Sequence, residues 1–465
     1  SNKGMITVAL LFLVSEGIRQ SGTLGQVIKK LLPQGKTTVF KAQLRILPSV
    51  AFISAFLNNT PVVVIFAPII KHWAKSVKLP ATKFLIPLSY VTILGGICTL
   101  IGTSTNLVVH GMILEAGYEG FTMFELGKVG IFIAIAGIIY LFIFSKRLLP
   151  DARPDTAVPD EEVEEGEKLH RVEAVLGARF PGINKKLSDF NFQRHYGAEV
   201  KEIKTRNGQR YVNHLEDVVL REGDTLVVMA DDTFIPTWGE SSVFVLLTNG
   251  NDPDTSGKKK RWLALILLVL MIVGATVGEL PATKEMFPDI KLDMFFFVCI
   301  TTIIMAWTNI FPARKYTKYI SWDILITIAC AFAISKAMVN SGVADCVAGF
   351  IIGLSDDYGP HVLLAILFVI TNLFTELITN NAAAALAFPL ALSISAQLGV
   401  SPTPFFVVIC MAASASFSTP IGYQTNLIVQ GIGNYKFTDF VRIGLPLNII
   451  TFLISVILIP LIWNF

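Results

Sequence analysis

The chain has 465 residues, of which 53% are hydrophobic and only 16% are charged. A mean hydropathy of +0.61 excludes an ordinary soluble domain. Apolar runs of about 15 to 25 residues recur along the chain, and such runs can span or enter a hydrocarbon core of roughly 30 Å. The net charge of +3 gives no reason to expect a nucleic-acid partner. We therefore predict an all-α polytopic protein that contacts membrane lipid, with no nucleic acid bound.

The first predicted membrane block covers residues 1 to 149. It contains the polar triplet Asn58, Asn59 and Thr60 between apolar stretches, in FLNNTPVVVIFAPI. Asn and Thr side chains compete with the backbone for hydrogen bonds and disfavour helix interiors. The triplet is thus predicted to lie where one helix breaks and another begins, with Pro61 in the first turn of the second helix.

A different pattern covers residues 150 to 252. The segment 150 to 168 is a proline- and acid-rich linker that cannot bury enough apolar surface to fold alone. From 169 to 252, alternating segments in HRVEAVLGA, GAEVKEIKTRNGQR, DTLVVMADD and SSVFVLLTN predict strands, and LSDFNFQRHYG predicts a short helix. Lys146, Arg147 and the run KKKR that ends at Arg261 flank this α+β insert. The positive-inside rule therefore places it in the cytoplasm.

The second membrane block, 261 to 465, repeats the first. Thr379, Asn380 and Asn381 follow the first triplet at an offset of 321, and IGYQTNLIVQG (421–431) follows IGTSTNLVVHG (101–111) at an offset of 320. Chance similarity between small-residue helices would not keep one offset over roughly 90 residues, so two related halves are predicted. Residues 261 to 321 have no counterpart, and the first repeat is therefore expected to be incomplete at its start.

Matched polar breaks inside two membrane halves are typical of secondary transporters, with the site at the repeat interface. A new helix N-terminus can hold an anion without lysine or arginine. Carbonyl, Asn and Thr oxygens on the other side suit sodium. Gly102 and Gly422 allow the backbone to turn, and Asn106 and Asn426 offer side-chain oxygens. The simpler alternative, small packing residues between close helices, stays open for any single position.

These residues resemble the divalent anion:sodium symporter family, whose signature triplet is Ser-Asn-Thr; this chain has Asn-Asn-Thr and Thr-Asn-Asn. FPGINKKLSDFNFQRHYGAEVKEI followed by LREGDTLVVMADD resembles a TrkA-C (RCK C-terminal) domain, of which one copy is found. The resemblance implies inverted repeats with re-entrant hairpins and broken helices, and a homodimer in the bacterial inner membrane. Family members with this insert are mostly associated with sulfate or similar inorganic anions.

The resemblance also implies a set of ligands. The first sodium would be held by Ser54, Asn58, Asn59 and the backbone near Cys98, beside Gly102 and Asn106. The second would be held by Thr375, Asn380 and the backbone near Ser418, beside Gly422 and Asn426. The substrate would lie between Asn58, Asn59, Thr60 and Thr379, Asn380, Asn381, with Thr99 and Thr419 reaching from the opposing turns. For Ser54 and Thr375, the alternative is a hydroxyl bonded to its own helix.

The resulting prediction is a sodium-coupled symporter of a divalent inorganic anion, most simply sulfate, that works by alternating access. The alternatives are a sodium/dicarboxylate symporter, an RCK-regulated channel and an arsenite-type exporter; no TVGYG-like filter supports the channel. No P-loop, HExxH or Ser/His/Asp set occurs, so an enzyme is not expected. Glu376, an intramembrane carboxylate, either tunes cation binding or caps a helix end.

Overall fold

Seven α-helices occur among the described residues of the first membrane block. In the computed structural model they are α1 (Lys3–Gln20), α2 (Thr23–Leu31), α3 (Val39–Ser54), α4 (Asn59–Ser76), α5 (Leu85–Gly96), α6 (Ser104–Glu115) and α7 (Gly127–Leu148). The short helix α8 (Phe192–Tyr196) belongs to the insert. Four described helices follow the insert and have no counterpart in the first block. They are α9 (Lys258–Gly278), α10 (Pro281–Met286), α11 (Met294–Trp307) and α12 (Tyr316–Tyr319).

Seven further helices complete the chain, in the same order as α1 to α7. They are α13 (Trp322–Asn340), α14 (Val343–Gly353), α15 (Gly359–Leu377), α16 (Asn380–Leu398), α17 (Thr403–Ser414), α18 (Gln424–Gly433) and α19 (Phe437–Ile462). The first six of them begin 318 to 321 residues after their counterparts α1 to α6. The correspondence predicted from two motifs thus extends to the order of the helices.

The structure describes most of the chain. The described ranges are 3–151 without 34, 170–248 without 178, 206–208, 232–233, 235–237 and 239–242, and 258–465 without 279, 287–291, 313, 315, 321 and 354–358. The predicted acidic linker, from residue 152 onward, lies outside these ranges.

Several helices are apolar enough to cross a membrane. Five qualify among the described residues: Gly127–Leu148, Lys259–Gly278, Gly359–Leu377, Asn380–Leu398 and Phe437–Ile462. A sixth candidate is the pair Ile324–Asn340 and Val343–Gly353, bent by 72°. Exposed apolar side chains repeat every four residues along α7, at Ile131, Ile135, Ile139 and Ile143. That spacing places them on one helix face, which suits contact with lipid.

The insert is built on one antiparallel sheet. Its strands are β1 (His170–Leu176), β2 (Glu199–Lys204), β3 (Arg210–Tyr211), β4 (Thr225–Ala230) and β5 (Phe244–Thr248), in the spatial order β3-β2-β4-β1-β5. Each of the four predicted segments contains a strand, and the predicted short helix is confirmed. The segment GAEVKEIKTRNGQR is not one strand, because β2 ends at Lys204 and β3, which begins at Arg210, pairs back onto it. Aromatic side chains fill its core, with Phe180, Phe192, Tyr196 and Phe244 buried together.

The insert contacts the membrane helices directly. Lys71 on α4 donates to both carboxylate oxygens of Glu173 on β1, at 3.0 and 3.2 Å. Gly223, before β4, lies against Leu427 on α18, and Gly431 on α18 lies against Thr225. Burial alone would raise the pKa of Glu173, but the charges of Lys71, Lys204 and Arg171 outweigh it and lower that pKa to about 2.

Candidate functional site

Both polar triplets lie where a helix begins. Asn59 and Asn380 are the first residues of α4 and α16, and each preceding helix ends a few residues earlier, at Ser54 and Leu377. The predicted breaks are confirmed, and Pro61 lies in the first turn of α4. The hydroxyl of Thr379 accepts from the N–H of Ala382 at 3.4 Å and so caps α16. Two helix N-termini, each with a partial positive charge, are therefore available to an anion.

The first cluster of oxygens surrounds Asn59, whose side chain is fully buried. Its Oδ1 lies 2.7 Å from Ser54 Oγ, 2.7 Å from the Thr92 carbonyl oxygen and 3.3 Å from the Gly102 carbonyl oxygen. A Cβ at position 96 would lie 2.5 Å from this oxygen, so Gly96 makes the close approach possible. In this orientation the amide oxygen lies against two carbonyl oxygens, which are acceptors, so it forms no hydrogen bond with them.

Turning the Asn59 amide by half a turn gives the arrangement in which both of its polar atoms have suitable partners. Nδ2 then donates to Ser54 Oγ and to both carbonyls, and Oδ1 accepts from the Tyr423 hydroxyl at 2.6 Å. The Asn59 amide thus ties together the Ser54 hydroxyl and the Thr92 and Gly102 carbonyls, whose oxygens form the cluster. Neutral hard oxygens of this kind fit a sodium ion. Among the described residues, no group of three or more His, Cys, Asp or Glu could hold a metal ion.

The second cluster surrounds Asn380 in the matching way. Thr375 Oγ1 lies 2.9 Å from Asn380 Oδ1 and donates to the Ala413 carbonyl at 2.6 Å. Ser416 Oγ donates to the Thr375 carbonyl at 3.2 Å, and Gly422 packs against the same carbonyl. The pair Thr375 and Asn380 therefore repeats the pair Ser54 and Asn59. Both hydroxyls lie within hydrogen-bond distance of the middle residue of their triplet.

The two turns that face the triplets are held by equivalent hydrogen bonds. Thr99 and Thr419 donate from their hydroxyls to the carbonyls of Ala55 and Glu376. The same hydroxyls accept from Gly102 N at 3.1 Å and from Gly422 N at 3.4 Å. The side-chain amide of Asn106 donates to the Thr99 carbonyl at 2.9 Å, and that of Asn426 donates to the Thr419 carbonyl at 3.1 Å. In this structure, Thr99 and Thr419 therefore bind backbone both in their own turns and beside the facing helix breaks.

The two halves cross at the triplets. Thr60 Oγ1 lies 3.4 Å from Gln424 Oε1, and Asn381 Oδ1 accepts from Ser104 Oγ at 3.3 Å. Thr60 corresponds to Asn381 and Ser104 corresponds to Gln424, so these are the same contact made twice. Each half supplies a helix start, α4 or α16, to the turn of the other half.

Tyr423 joins the two triplets and was missed from the sequence. Its buried hydroxyl contacts the Asn59 amide at 2.6 Å and Thr103 Oγ1 at 3.0 Å, and it also hydrogen-bonds to Asn380. The sequence comparison favoured positions that are identical in both turns. Tyr423 stands where the first turn has Thr103, so identity between copies gave no signal.

Four other predicted positions contact different groups. Asn58 is half-buried and lines a mainly apolar cavity with Val8 and Leu11 of α1. Thr379 is exposed, and the Cys98 thiol donates to the Leu94 carbonyl at 3.3 Å. Ser418 donates its N–H to Glu376 Oε1 at 2.8 Å.

A family model described as citrate transporter matches residues 1–395 and 283–465. An uncharacterized transporter of Synechocystis is 29% identical over all of this chain and 89% of its own length. Sodium/sulfate cotransporter 2 of Chlamydomonas reinhardtii is 30% identical over 60% of this chain and 31% of its own length. The sodium-dependent dicarboxylate transporter SdcS of Staphylococcus saprophyticus is 25% identical over 31% of this chain and 28% of its own length.

These relatives are transporters, which confirms the prediction that the chain is not an enzyme. The apolar helices and the family together establish an integral membrane protein. The chain belongs to the citrate transporter family, as a transporter of the citrate, sulfate and dicarboxylate type.

Proposed function

We propose that this protein is a sodium-coupled symporter of a divalent inorganic anion, with sulfate as the preferred substrate. The observation that carries the proposal is the pair of matched oxygen clusters, at Asn59 and Asn380, each at the start of a helix. The clusters suit two sodium ions, and the helix N-termini suit the anion. Sodium would enter as a transported ion together with the anion.

Charge balance supports sodium coupling. Among the described residues, the hydrogen-bond partners of the two triplets include no lysine or arginine. A dianion inside the membrane without a compensating charge is very costly. Sodium ions beside the triplets would supply that compensation, so anion binding and sodium binding would depend on each other.

Alternating access would use the two related halves. In this proposal they are inverted repeats, and the crossing contacts of Thr60 with Gln424 and of Asn381 with Ser104 lie at their interface. Opening one crossing while the other stays closed would expose the site to one side of the membrane at a time. The insert would lie in the cytoplasm and the protein would form a homodimer in the bacterial inner membrane. The basic run from Lys258 to Arg261 supports that orientation.

The test is uptake of labelled sulfate into proteoliposomes. An inward sodium gradient should drive accumulation, and replacement of sodium by choline at constant pH should abolish it. Unchanged uptake in choline would refute sodium coupling.

The second candidate is a dicarboxylate substrate, which the Staphylococcus relative favours. Against it, the triplets offer amides, hydroxyls and helix N-termini, without the arginine fork that pairs with planar carboxylates. Sulfate should therefore compete better than succinate for uptake. If succinate outcompetes a roughly tenfold excess of sulfate, the dicarboxylate assignment replaces ours.

A further inference from the structure

Glu376 marks a difference between two otherwise matched halves. At the offset of 321 its counterpart is Ala55, whose carbonyl accepts from Thr99 as the Glu376 carbonyl accepts from Thr419. The backbone at the two positions is therefore used in the same way. Only the second half adds a carboxylate.

Asn448 of α19, which donates to Glu376, also lacks a polar counterpart in the first half. Gly444 of α19 packs against the Phe417 carbonyl and Ser418 N, as Gly130 of α7 packs against the Ile97 carbonyl and Cys98. This pairing sets an offset of 314 between α19 and α7. Asn448, four residues after Gly444, then corresponds to the buried Ala134. The second half thus has Glu376, Ser418 and Asn448 where the first has Ala55, Cys98 and Ala134.

The three polar residues of the second half bind one another. Glu376 Oε1 accepts from Ser418 N at 2.8 Å and from Asn448 Nδ2 at 2.7 Å, and Asn448 Nδ2 also donates to Ser418 Oγ at 2.8 Å. Asn448 is 6% exposed. Glu376 therefore ties the turn that contains Ser418 to α19, whereas the first-half turn has no such link at Cys98.

Two oxygens of this group have no donor. Glu376 Oε2 and Asn448 Oδ1 are buried without a hydrogen-bond partner. In the described part of the chain, no basic side chain forms an ion pair with Glu376. A buried charge without a partner is costly. Thr375, the residue directly before Glu376, belongs to the second oxygen cluster, where a cation would supply the missing charge.

We infer that Glu376 makes the two cation sites unequal, because it adds a fixed negative charge beside the second site and holds the Ser418 turn in place. The ligand is a monovalent cation of the size of sodium, and the second site binds it more tightly than the first. The inference rests on the proposed function, since it assumes that both oxygen clusters bind sodium. Glu376 acts here as a positioning residue for the second site.

The experiment is equilibrium binding of radiolabelled sodium to the purified full-length chain, without anion, with unlabelled choline keeping the ionic strength constant. Wild type should show a tight and a weak class of site. Glu376→Gln keeps the size and an acceptor oxygen but removes the charge, so it should weaken the tight class by about tenfold or more. Ser54→Ala should weaken only the other class.

Three more variants separate the effect of the Glu376 charge from the effect of its hydrogen bond to α19. Glu376→Asp keeps the charge and should retain more tight binding than Glu376→Gln. Asn448→Ala keeps the charge but cuts the link to α19, so it should lower thermal stability more than sodium affinity. Glu125→Gln is the matched control, because Glu125 bonds to Trp463 and Thr122, outside the site. It should leave both classes unchanged.

Two results would overturn the inference. Tight binding that is unchanged in Glu376→Gln would show that the carboxylate only supports the turn. Loss of the tight class in Ser54→Ala would assign tight binding to the first half. A wild-type protein that binds no sodium would instead refute the proposed function itself, and the inference with it.

Discussion

Replacing Asn59 or Asn380 by alanine should abolish uptake in both cases but destabilise the protein unequally. Each residue supplies an amide to one oxygen cluster and is the first residue of a helix that would face the anion in the proposed function. Loss of either amide would disrupt one of the two proposed cation sites. We therefore expect sulfate uptake per folded molecule to fall by at least about a hundredfold in both variants.

The loss of stability in each variant depends on which buried groups lose a hydrogen-bond partner when the amide is removed. Without Asn59, the fully buried Ser54 hydroxyl loses its partner, and Tyr423 keeps Thr103. An unpaired buried hydroxyl together with a small cavity costs about 2 to 4 kcal/mol. Without Asn380, Thr375 still donates to the Ala413 carbonyl. We therefore expect a smaller cost, about 1 kcal/mol, for Asn380→Ala.

The assay combines sulfate uptake in proteoliposomes with thermal unfolding of the same preparations. Gln43→Ala is the matched control, because Gln43 is a buried amide on α3 that donates to the Lys83 carbonyl at 2.7 Å and Ser145 Oγ at 2.9 Å, outside the site. It should lower stability as much as Asn59→Ala while uptake per folded molecule stays at the wild-type level. Near-normal uptake in either triplet variant would show that the triplets only pack helices.

Three further predictions concern Tyr423 and the insert. Tyr423→Phe removes the hydroxyl that contacts both triplets. The half-saturating concentration of sulfate for uptake should therefore rise by about tenfold while the protein stays folded. An unchanged concentration would exclude a role of this hydroxyl in anion affinity. Wild type should be more stable than Glu173→Gln above the ordinary glutamate pKa near 4.5. That advantage should disappear as pH falls toward about 2, the folded-state pKa; thermal unfolding across this range checks it, and a difference independent of pH would contradict it. Replacing residues 160–252 by a Gly/Ser linker should leave sodium-dependent anion binding measurable but change the transport rate or dimer stability; loss of all anion binding in a folded variant would contradict a regulatory insert.

Local properties made the helix breaks predictable from the sequence. Asn, Thr and Pro have strong preferences at helix starts, and those preferences act over a few residues. The triplets were therefore found at the starts of α4 and α16. The alternating pattern of the insert likewise predicted its strands, because the period of two depends only on which face of the sheet is buried.

Tertiary contacts account for what the sequence did not reveal. Glu376 binds Asn448, which lies 72 residues away on α19, and no periodicity connects them. Tyr423 reaches Asn59 across 364 residues because the two halves cross. The contact of the insert with α18 needs Gly223 and Gly431, and glycine in a loop or a membrane helix is too common to indicate a docking point.

The insert contacts two helices that extend to the candidate site, although none of its own residues is proposed to bind substrate. Lys71, which binds Glu173, lies twelve residues after Asn59 on α4, about 18 Å along the same helix. Leu427, which contacts Gly223, directly follows Asn426 on α18. These two helices meet at Thr60 and Gln424. The insert contacts both of these helices, so we expect a change in its position to act on their crossing first. The asymmetry between the halves would then extend from cation binding to control of access.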